Sequence, residues 1–526
     1  MDINKTSTPE SRAAAVSRHV DGALWMALGA SICFALYVLL IGIKTPILDN
    51  FYFRQTQTAL TTYWLTQGGP WLAYETPVLG YPWSIPFEFP VFQLITAAVA
   101  SLGIHLDVAG RSVNFAFYIA TLWPLGMLAQ TLGLSRASYL ATAILYVLSP
   151  TYLYWSRTFL IESCALFFSV LWLACLARFV QSGNKGSAVG MIVAGSLAIL
   201  AKATTFPAFA LVGGLGVLWV LVSRLRAGAP VGSLIKLTAL SLLLVAIPFV
   251  IGLLWVGYTD SVKSANPLGQ HLTSSALSAW NFGSISQKLS RDLWVNIIAG
   301  RIIPDAMGYL YLLGLAVAIV AFSCTRNIAI ATVSVIGFLA SILAFTNLHM
   351  VHTYYQVANA VFLAIAVGVC LGIIFDRGNY AVAATFLALI AAGQISLFVT
   401  AYKPIVETDQ RPNWLWQAAT MAHRITGPEQ SLIVLGDDWS SAVAYYSKRK
   451  TLTIPGWTPP ELAEQIFSDP QRFLGNNTLG AIVVCDAGLK DYKRSMPLVE
   501  RFLANREQVW RHEGCRILSS QINNNS

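Results

Sequence analysis

Charge is scarce in this sequence. Only 11% of its 526 residues are Asp, Glu, Lys or Arg, against 56% hydrophobic ones, and the mean hydropathy is +0.59. A soluble chain of this length could not clothe its surface with so few charges, so a multispanning membrane protein is the class that remains. Several motifs are missing as well. There is no Walker A glycine loop, no GxSxG elbow, no HExxH pair and no Asp-x-Asp pair in the first long polar loop, which disfavours nucleotide hydrolysis and zinc-protease chemistry. No internal repeat stands out, which leaves an inverted-repeat transporter without support.

Cysteine is sparse too. Cys33, Cys164, Cys175, Cys324 and Cys370 lie in apolar runs where a small hydrophobe suffices, and only Cys485 and Cys515 fall in the polar C-terminal region, leaving room for one disulfide and for no metal cluster. No cleavable leader is expected, because Met1 to Asp21 is polar and the apolar run after it is long enough to span and remain. The formal net charge of +9 is what lysines and arginines gathered in cytoplasmic loops against anionic lipid produce, so no nucleic-acid partner is implied.

Apolar runs of spanning length begin near residues 22, 110, 137, 162, 188, 205, 237, 306, 328, 355 and 379, giving about eleven helices of roughly 20 residues each. A twelfth candidate, 90-PVFQLITAAVASLGIHL-106, is shorter and interrupted. If it lies along the outer interface, then Arg12, Arg18, Arg136, Arg178, Lys185, Arg224, Arg226, Lys236, Arg326 and Arg377 all face the cytoplasm, as the positive-inside rule requires. Five polar patches then share the outer face: 44–109, 156–162, Lys202, 258–305 and 346–354. The expected organisation is a cytoplasmic tail over 1–21 and an all-α polytopic membrane domain over 22–400, with interfacial helices and outer loops 44–109 and 258–305. A small extracytoplasmic α/β domain follows over 401–526, where 432-LIVLGD-437, 480-GAIVVCD-486 and 515-CRILSS-520 read as strands and 460–474 as helical.

The outer patches hold the chemistry. Read as an interfacial helix over 49–60, 48-LDNFYFRQTQTAL-60 puts Asp49 at the helix start, with Phe53, Thr56 and Leu60 on its face and Arg54 on another; helix cap and catalytic acid are both open to Asp49. In 81-YPWSIPFEFPVFQ-93, Glu88 stands alone among aromatic and aliphatic neighbours and needs Arg54, Arg111 or a sugar hydroxyl as partner. Arg157 and Glu162 flank a short apolar loop in 149-SPTYLYWSRTFLIES-163, and a carboxylate at such a membrane boundary is a functional candidate. Lys202 closes the fifth helix on the same side, Arg301 ends the long outer loop, and 346-TNLHMVHTYYQ-356 adds His349, His352, Tyr354 and Tyr355. The histidine spacing fits one helical face, as a metal pair or a phosphate clamp requires; with no third ligand fixed, phosphate or hydroxyl binding is preferred. Carboxylates facing several cations suit displacement at a sugar anomeric carbon. A carboxylate takes the acceptor's proton and the cations steady a departing phosphate, each worth on the order of 10²-fold or more. In the C-terminal part, Asp437 and Asp438 follow a strand and admit either a turn or an acceptor contact.

On these residues the chain resembles the multispanning glycosyltransferases of the GT-C fold, particularly the dolichyl-phosphate-mannose protein mannosyltransferase and aminoarabinose lipid A transferase group, over most of 22–375. The resemblance implies that Asp49 matches the essential acid after the first membrane helix, with Asn50 where many members have Glu. It implies that Glu88-Phe89-Pro90 stands for Glu-Lys-Pro without the lysine, so that Arg54, Arg157, Lys202 or Arg301 must hold the donor phosphate. Glu162 matches the second outer-loop acid, usually Asp, and the segment His349 to Tyr355 stands where relatives carry lysines. The implied reaction uses a polyprenyl-phosphate sugar donor, inverts the anomeric carbon and takes place in a cavity at the outer face, with Asp49 as general base. The acceptor class stays open among lipid, glycan and protein. No cofactor is required, a divalent metal is left open, and the expected location is a bacterial inner (plasma) membrane with site and C-terminal domain periplasmic. Competing readings are a transporter or flippase of a lipid-linked sugar, whose sites usually lie near the bilayer midplane, and a receptor scaffold.

Overall fold

The computed structural model describes residues 9–321 and 325–522; residues 1–8 of the expected tail and Cys324 lie outside the described residues. The protein is mostly helical with one small C-terminal sheet. Among the described residues six helices are long and apolar enough to cross a membrane: Arg18–Leu40, Leu106–Thr131, Glu162–Ser182, Phe206–Arg226, Val231–Ser264 and Tyr380–Glu407. Glu162–Ser182 has 72% of its apolar window buried and Val231–Ser264 only 17%, which puts the first at the centre of the bundle and the second at its lipid-facing rim. The last of these helices continues to Glu407, past the boundary expected at 400.

The apolar run expected to span from about 306 is not a straight helix. Asp292–Met307 and Leu312–Ala321 meet at 80°. Gly308 sits at the corner with φ +81, and a Cβ there would meet the Gln394 backbone nitrogen at 2.2 Å, so glycine supplies both the left-handed backbone and the close approach to the neighbouring helix. A second close approach lies in the core, where Ala360–Asp376 packs on Arg136–Leu148. A Cβ on Gly372 would meet Ser138 Oγ at 1.8 Å and its Cα at 2.6 Å, and one on Gly368 would meet Thr142 Oγ1 at 2.2 Å. This small-x-x-x-small spacing lets the two backbones touch. Gly372→Val is therefore expected to cost about 1–3 kcal/mol by overpacking, read as a lower thermal unfolding midpoint of the purified protein; an unchanged midpoint would mean that the helices are not in this contact.

The sheet has the order β2-β1-β3-β5-β4, formed by β1 Gln430–Leu435, β2 Thr451–Ile454, β3 Thr478–Cys485, β4 Arg506–His512 and β5 Cys515–Ile522. β1 runs parallel to both β2 and β3, and β5 is antiparallel to β3 and β4. The expected strands are β1, β3 and β5. β2 was not expected because it has only four residues, and β4 because REQVWRH is largely exposed and lacks a buried alternate face. Cys485 and Cys515 pair across β3 and β5 and form the disulfide for which the sequence left room.

Two contacts fix the sheet over the helical bundle. The loop after the first helix extends the β2 edge: Thr451 N donates to Pro77 O, Thr453 N to Val78 O and Gly80 N to Thr451 O, with Lys450 paired to Glu75 at 2.8 Å. Buried Asp107, at the start of Leu106–Ala120, accepts from Tyr445 Oη at 2.5 Å and from Tyr446 Oη at 3.2 Å. From the segment after Val231–Ser264, Asn266 Nδ2 donates to the carbonyls of Leu79, Gly80 and Pro82. An edge strand that would otherwise be open is thus covered, and the loop carrying Glu88 is pinned from both sides.

Candidate active site

The opening polar stretch folds differently from the helix expected over 49–60. The helix is Tyr52–Thr66, entered through Phe51 in the left-handed conformation (φ 54) with no side-chain cap. Asp49 therefore lies before the helix and its side chain caps nothing, which removes helix capping from the readings open to it. Its Oδ1 accepts from Gln55 Nε2 at 2.5 Å and its Oδ2 from Arg157 Nη1 at 3.1 Å, with both charged side chains nearly fully buried. Gln55 Oε1 in turn accepts from the Phe159 backbone at 3.1 Å, tying helix and loop together. A carboxylate has about four lone-pair positions, so two contacts leave room for a hydroxyl.

A second set of charges lies beside the first. Lys202, released from the end of Lys185–Ala201, donates to Glu162 Oε1 at 2.5 Å, and the two side chains are only 4% and 3% exposed. Its ammonium also stands 3.8 Å from the Tyr355 ring centre and 5.0 Å from that of Tyr354. Glu88 pairs with Arg54. Burial alone would raise the Glu88 carboxyl, but the charge and hydrogen bond of Arg54 outweigh it and hold it below the usual carboxylate range. Arg54 feels both Glu88 and Glu162, so the two pairs form one electrostatic group. Arg111, the other partner considered for Glu88, instead donates to the carbonyls of Gly42, Ile43 and Thr45. Phe51 stands between the two sets, packing on Trp155, His352 and Tyr354 at 5.3–5.8 Å.

The histidines depart from the expected pairing. Thr346–Val351 ends one residue before His352, which is extended, so His349 and His352 do not share a helical face. His349 Nδ1 bonds Gln356 Oε1 at 2.9 Å, whereas the His352 ring packs against Phe51, Tyr354 and Tyr355. Among the described residues no three His, Cys, Asp or Glu side chains come together as metal ligands would. Burial, reinforced by Lys202, pushes both imidazoles down to about 4. They are neutral at pH 7, His349 as a hydrogen-bonding group and His352 as a packed ring whose buried Nδ1 has no partner. Arg301 donates to the backbone of His349 at 2.5 Å and of Met350 at 3.0 Å, bracing this segment from behind, and its buried Nε has no partner.

Some members of the site were not singled out beforehand. Gln55 and Tyr154 border Asp49, the tyrosine hydroxyl being buried without a partner. Lys263 lies 4.9 Å from the Phe87 ring centre and is bonded to Asp260 at 3.0 Å. An i,i+3 Asp–Lys pair at the end of an apolar helix was a legible signal for the last of these. Trp439, from the loop after β1, packs on Phe53 at 4.8 Å and stacks on Phe87 at 5.7 Å; nothing in the local sequence pointed to that distant contact.

Residues 52–260 match the sequence profile of the dolichyl-phosphate-mannose-protein mannosyltransferase family. No curated protein sequence matches the chain. Among solved structures, ArnT from Cupriavidus metallidurans bound to undecaprenyl phosphate superposes with a TM-score of 0.64 at 15% identity, covering 93% of this chain and 97% of that one. The same protein in its apo state gives 0.61 at 15% identity with the same coverage, 93% and 97%. The arabinofuranosyltransferase AftD from Mycobacteria gives 0.51 at 15% identity over 94% of this chain, which spans 39% of the mycobacterial one. The shared architecture is the GT-C fold.

Proposed function

We propose that this protein is a membrane glycosyltransferase that moves a sugar from a polyprenyl-phosphate donor to an acceptor hydroxyl at the outer face of the membrane. The observation that carries the reading is the double ion-pair group around Arg54, Glu88, Glu162 and Lys202, buried beside the Asp49–Arg157 pair. The family profile over 52–260 and the architecture shared with an undecaprenyl-phosphate-bound protein support it. Lys202 and Arg54 exchange part of their carboxylate contact for the donor phosphate, while Tyr354 and Tyr355 keep the ammonium in place. Asp49 accepts the acceptor's proton as the hydroxyl oxygen bonds to the anomeric carbon. The bond from that carbon to the phosphate oxygen breaks in the same step, and its electron pair leaves with the phosphate. A single displacement of this kind inverts the anomeric configuration.

Topology supports a common outer face. With the bent pair as one span and four of the five shorter apolar helices spanning, the count is eleven, with Val91–Ala100 left along the interface. The membrane domain then ends with the helix Tyr380–Glu407, and the C-terminal domain that follows it stands outside, where the Cys485–Cys515 disulfide fits an oxidising periplasm. The test is release of polyprenyl phosphate from a labelled polyprenyl-phosphate sugar by the purified protein with an extract of envelope acceptors. Turnover dependent on acceptor is expected; transport of the intact donor without turnover would replace this reading with a flippase. Because both histidines stay neutral above about pH 4, donor affinity is expected to be flat between about pH 5.5 and 7.5, the range where an ordinary imidazole near 6.5 would titrate. An affinity that falls about tenfold across that interval would mean that a protonated histidine holds the phosphate.

A further inference from the structure

The loops that leave the carboxyl ends of β1, β2 and β3 meet beside the site, where Trp439 packs on Phe53 and Phe87. Three loops meet there: 436–441 after β1, 455–458 after β2 and 486–491 after β3. They are tightly fitted, since a Cβ on Gly436 would meet Cys485 O at 2.0 Å and one on Gly488 would meet Gly436 O at 2.1 Å. β1 has parallel neighbours on both sides, β2 and β3, so its carboxyl end is the point where connections leave in opposite directions, the position at which open α/β sheets bind ligands.

The groups at that point are of two kinds. Asp437, 8% exposed, accepts from Tyr52 Oη at 2.9 Å through one oxygen and leaves the other, Oδ2, buried with no donor. Asp438 follows with φ 44, a left-handed residue that is not glycine, and accepts from Trp457 Nε1 at 2.9 Å. Trp457 is 41% exposed, an indole left open to solvent beside a carboxylate, with the His271 ring 5.8 Å away. Trp439 completes the row by packing on Phe53 and Phe87, the residues that precede Arg54 and Glu88. Asp437 and Asp438 enter no ion pair among the described residues; the charged pairs of the sheet use Asp486. Burial lifts the Asp437 carboxyl to about 7 and also raises Asp438, so both gain from a hydroxyl donor.

We propose that the loop Gly436 to Ser441, with Trp457, is the acceptor subsite and that the acceptor group it takes is a glycan. The inference rests on the glycosyltransferase reading above and names the acceptor class that it left open. Indole faces pack on the C–H surface of a sugar ring, and the carboxylates accept from its hydroxyls. The buried Asp437 and the neighbouring Asp438 disfavour a phosphate group or a lipid tail between them. Tyr52, bonded to Asp437, lies three residues from Asp49, and from this row the sugar hydroxyl reaches across Trp439 toward the carboxylate that takes its proton.

The test is binding without turnover, so that it does not depend on transfer. The full-length protein in lipid nanodiscs is titrated with fluorescently tagged oligosaccharides released by mild acid from the envelope of the cells that make it. At least one oligosaccharide is expected to bind the wild type, with about tenfold weaker binding after Trp457→Ala and after Asp438→Asn, while Trp457→Phe, which keeps an aromatic face, loses about threefold or less. Asn tolerates the left-handed backbone as Asp does, and Trp457 is a surface residue, so the unfolding midpoint is expected to stay put and serves as the folding control. Absence of any glycan binding by the wild type overturns the inference, as does equal binding by Trp457→Ala. Donor turnover measured separately reports on the underlying glycosyltransferase reading: loss of that turnover with glycan binding intact would sink the reaction and not the subsite.

Discussion

Asp49→Asn protein is expected to fold, to bind a polyprenyl-phosphate sugar, and to transfer that sugar about 10²–10⁴-fold more slowly than the wild type, the range that a positioned general base contributes. The substitution keeps the shape of the side chain and one oxygen for Arg157 Nη1, but removes the base. Asp49 caps no helix, since Tyr52–Thr66 begins three residues later through Phe51, and the unfolding midpoint is read beside the rate because Arg157 loses its buried counter-ion. The measurement is initial rate of sugar transfer at saturating donor, with donor affinity determined on the same preparation. Near-normal turnover would remove Asp49 from the chemistry and pass the role of base to Glu162 or Glu88.

The second large effect concerns Lys202. Lys202→Met leaves Glu162 buried without its cation, and breaking such a pair by removing one partner costs about 3–5 kcal/mol. The single variant is therefore expected to be recovered in low yield and to unfold at lower temperature. Lys202→Met combined with Glu162→Gln removes both charges and is expected to regain most of that stability, since a neutral pair of similar size replaces the buried ions. It is not expected to regain donor binding, which needs the ammonium held by Tyr354 and Tyr355. Affinity for polyprenyl phosphate, measured on the double variant, separates the two roles. A double variant that binds as tightly as the wild type would make the Lys202–Glu162 pair purely structural.

Much of this was legible before any coordinates. Long apolar runs and a poverty of charge announced the helical membrane part, and β-branched runs announced three of the five strands, because both signals are local and strong. Asp49, Glu88, Glu162 and Lys202 could be picked out because a charge in apolar surroundings must find a partner, and Arg54 was one of the partners open to Glu88, beside Arg111 and a sugar hydroxyl. Which cation meets which carboxylate elsewhere was not legible. Arg157 reaches Asp49 across 108 positions, and nothing local encodes that distance. The histidine pair misled for a definite reason: a three-residue spacing means a shared face only while the helix lasts, and this one ends at Val351. The two backbone carbonyls that Arg301 braces were not legible either, because facing the right side says nothing about which acceptors a guanidinium finds. The 80° bend at Gly308 was hidden because an apolar run has no period that marks a corner.

The anomeric configuration of the product is the most direct test of the proposed chemistry, because one base and one displacement permit a single outcome. Purified protein is supplied with a polyprenyl-phosphate sugar of known configuration and an envelope acceptor, and the new glycosidic bond is assigned by nuclear magnetic resonance. The configuration opposite to that of the donor is expected from the wild type, with no product above background from Asp49→Asn. Retention of the donor's configuration would require two displacements and a covalent or ion-pair intermediate, and would contradict Asp49 as the base of a single-step transfer.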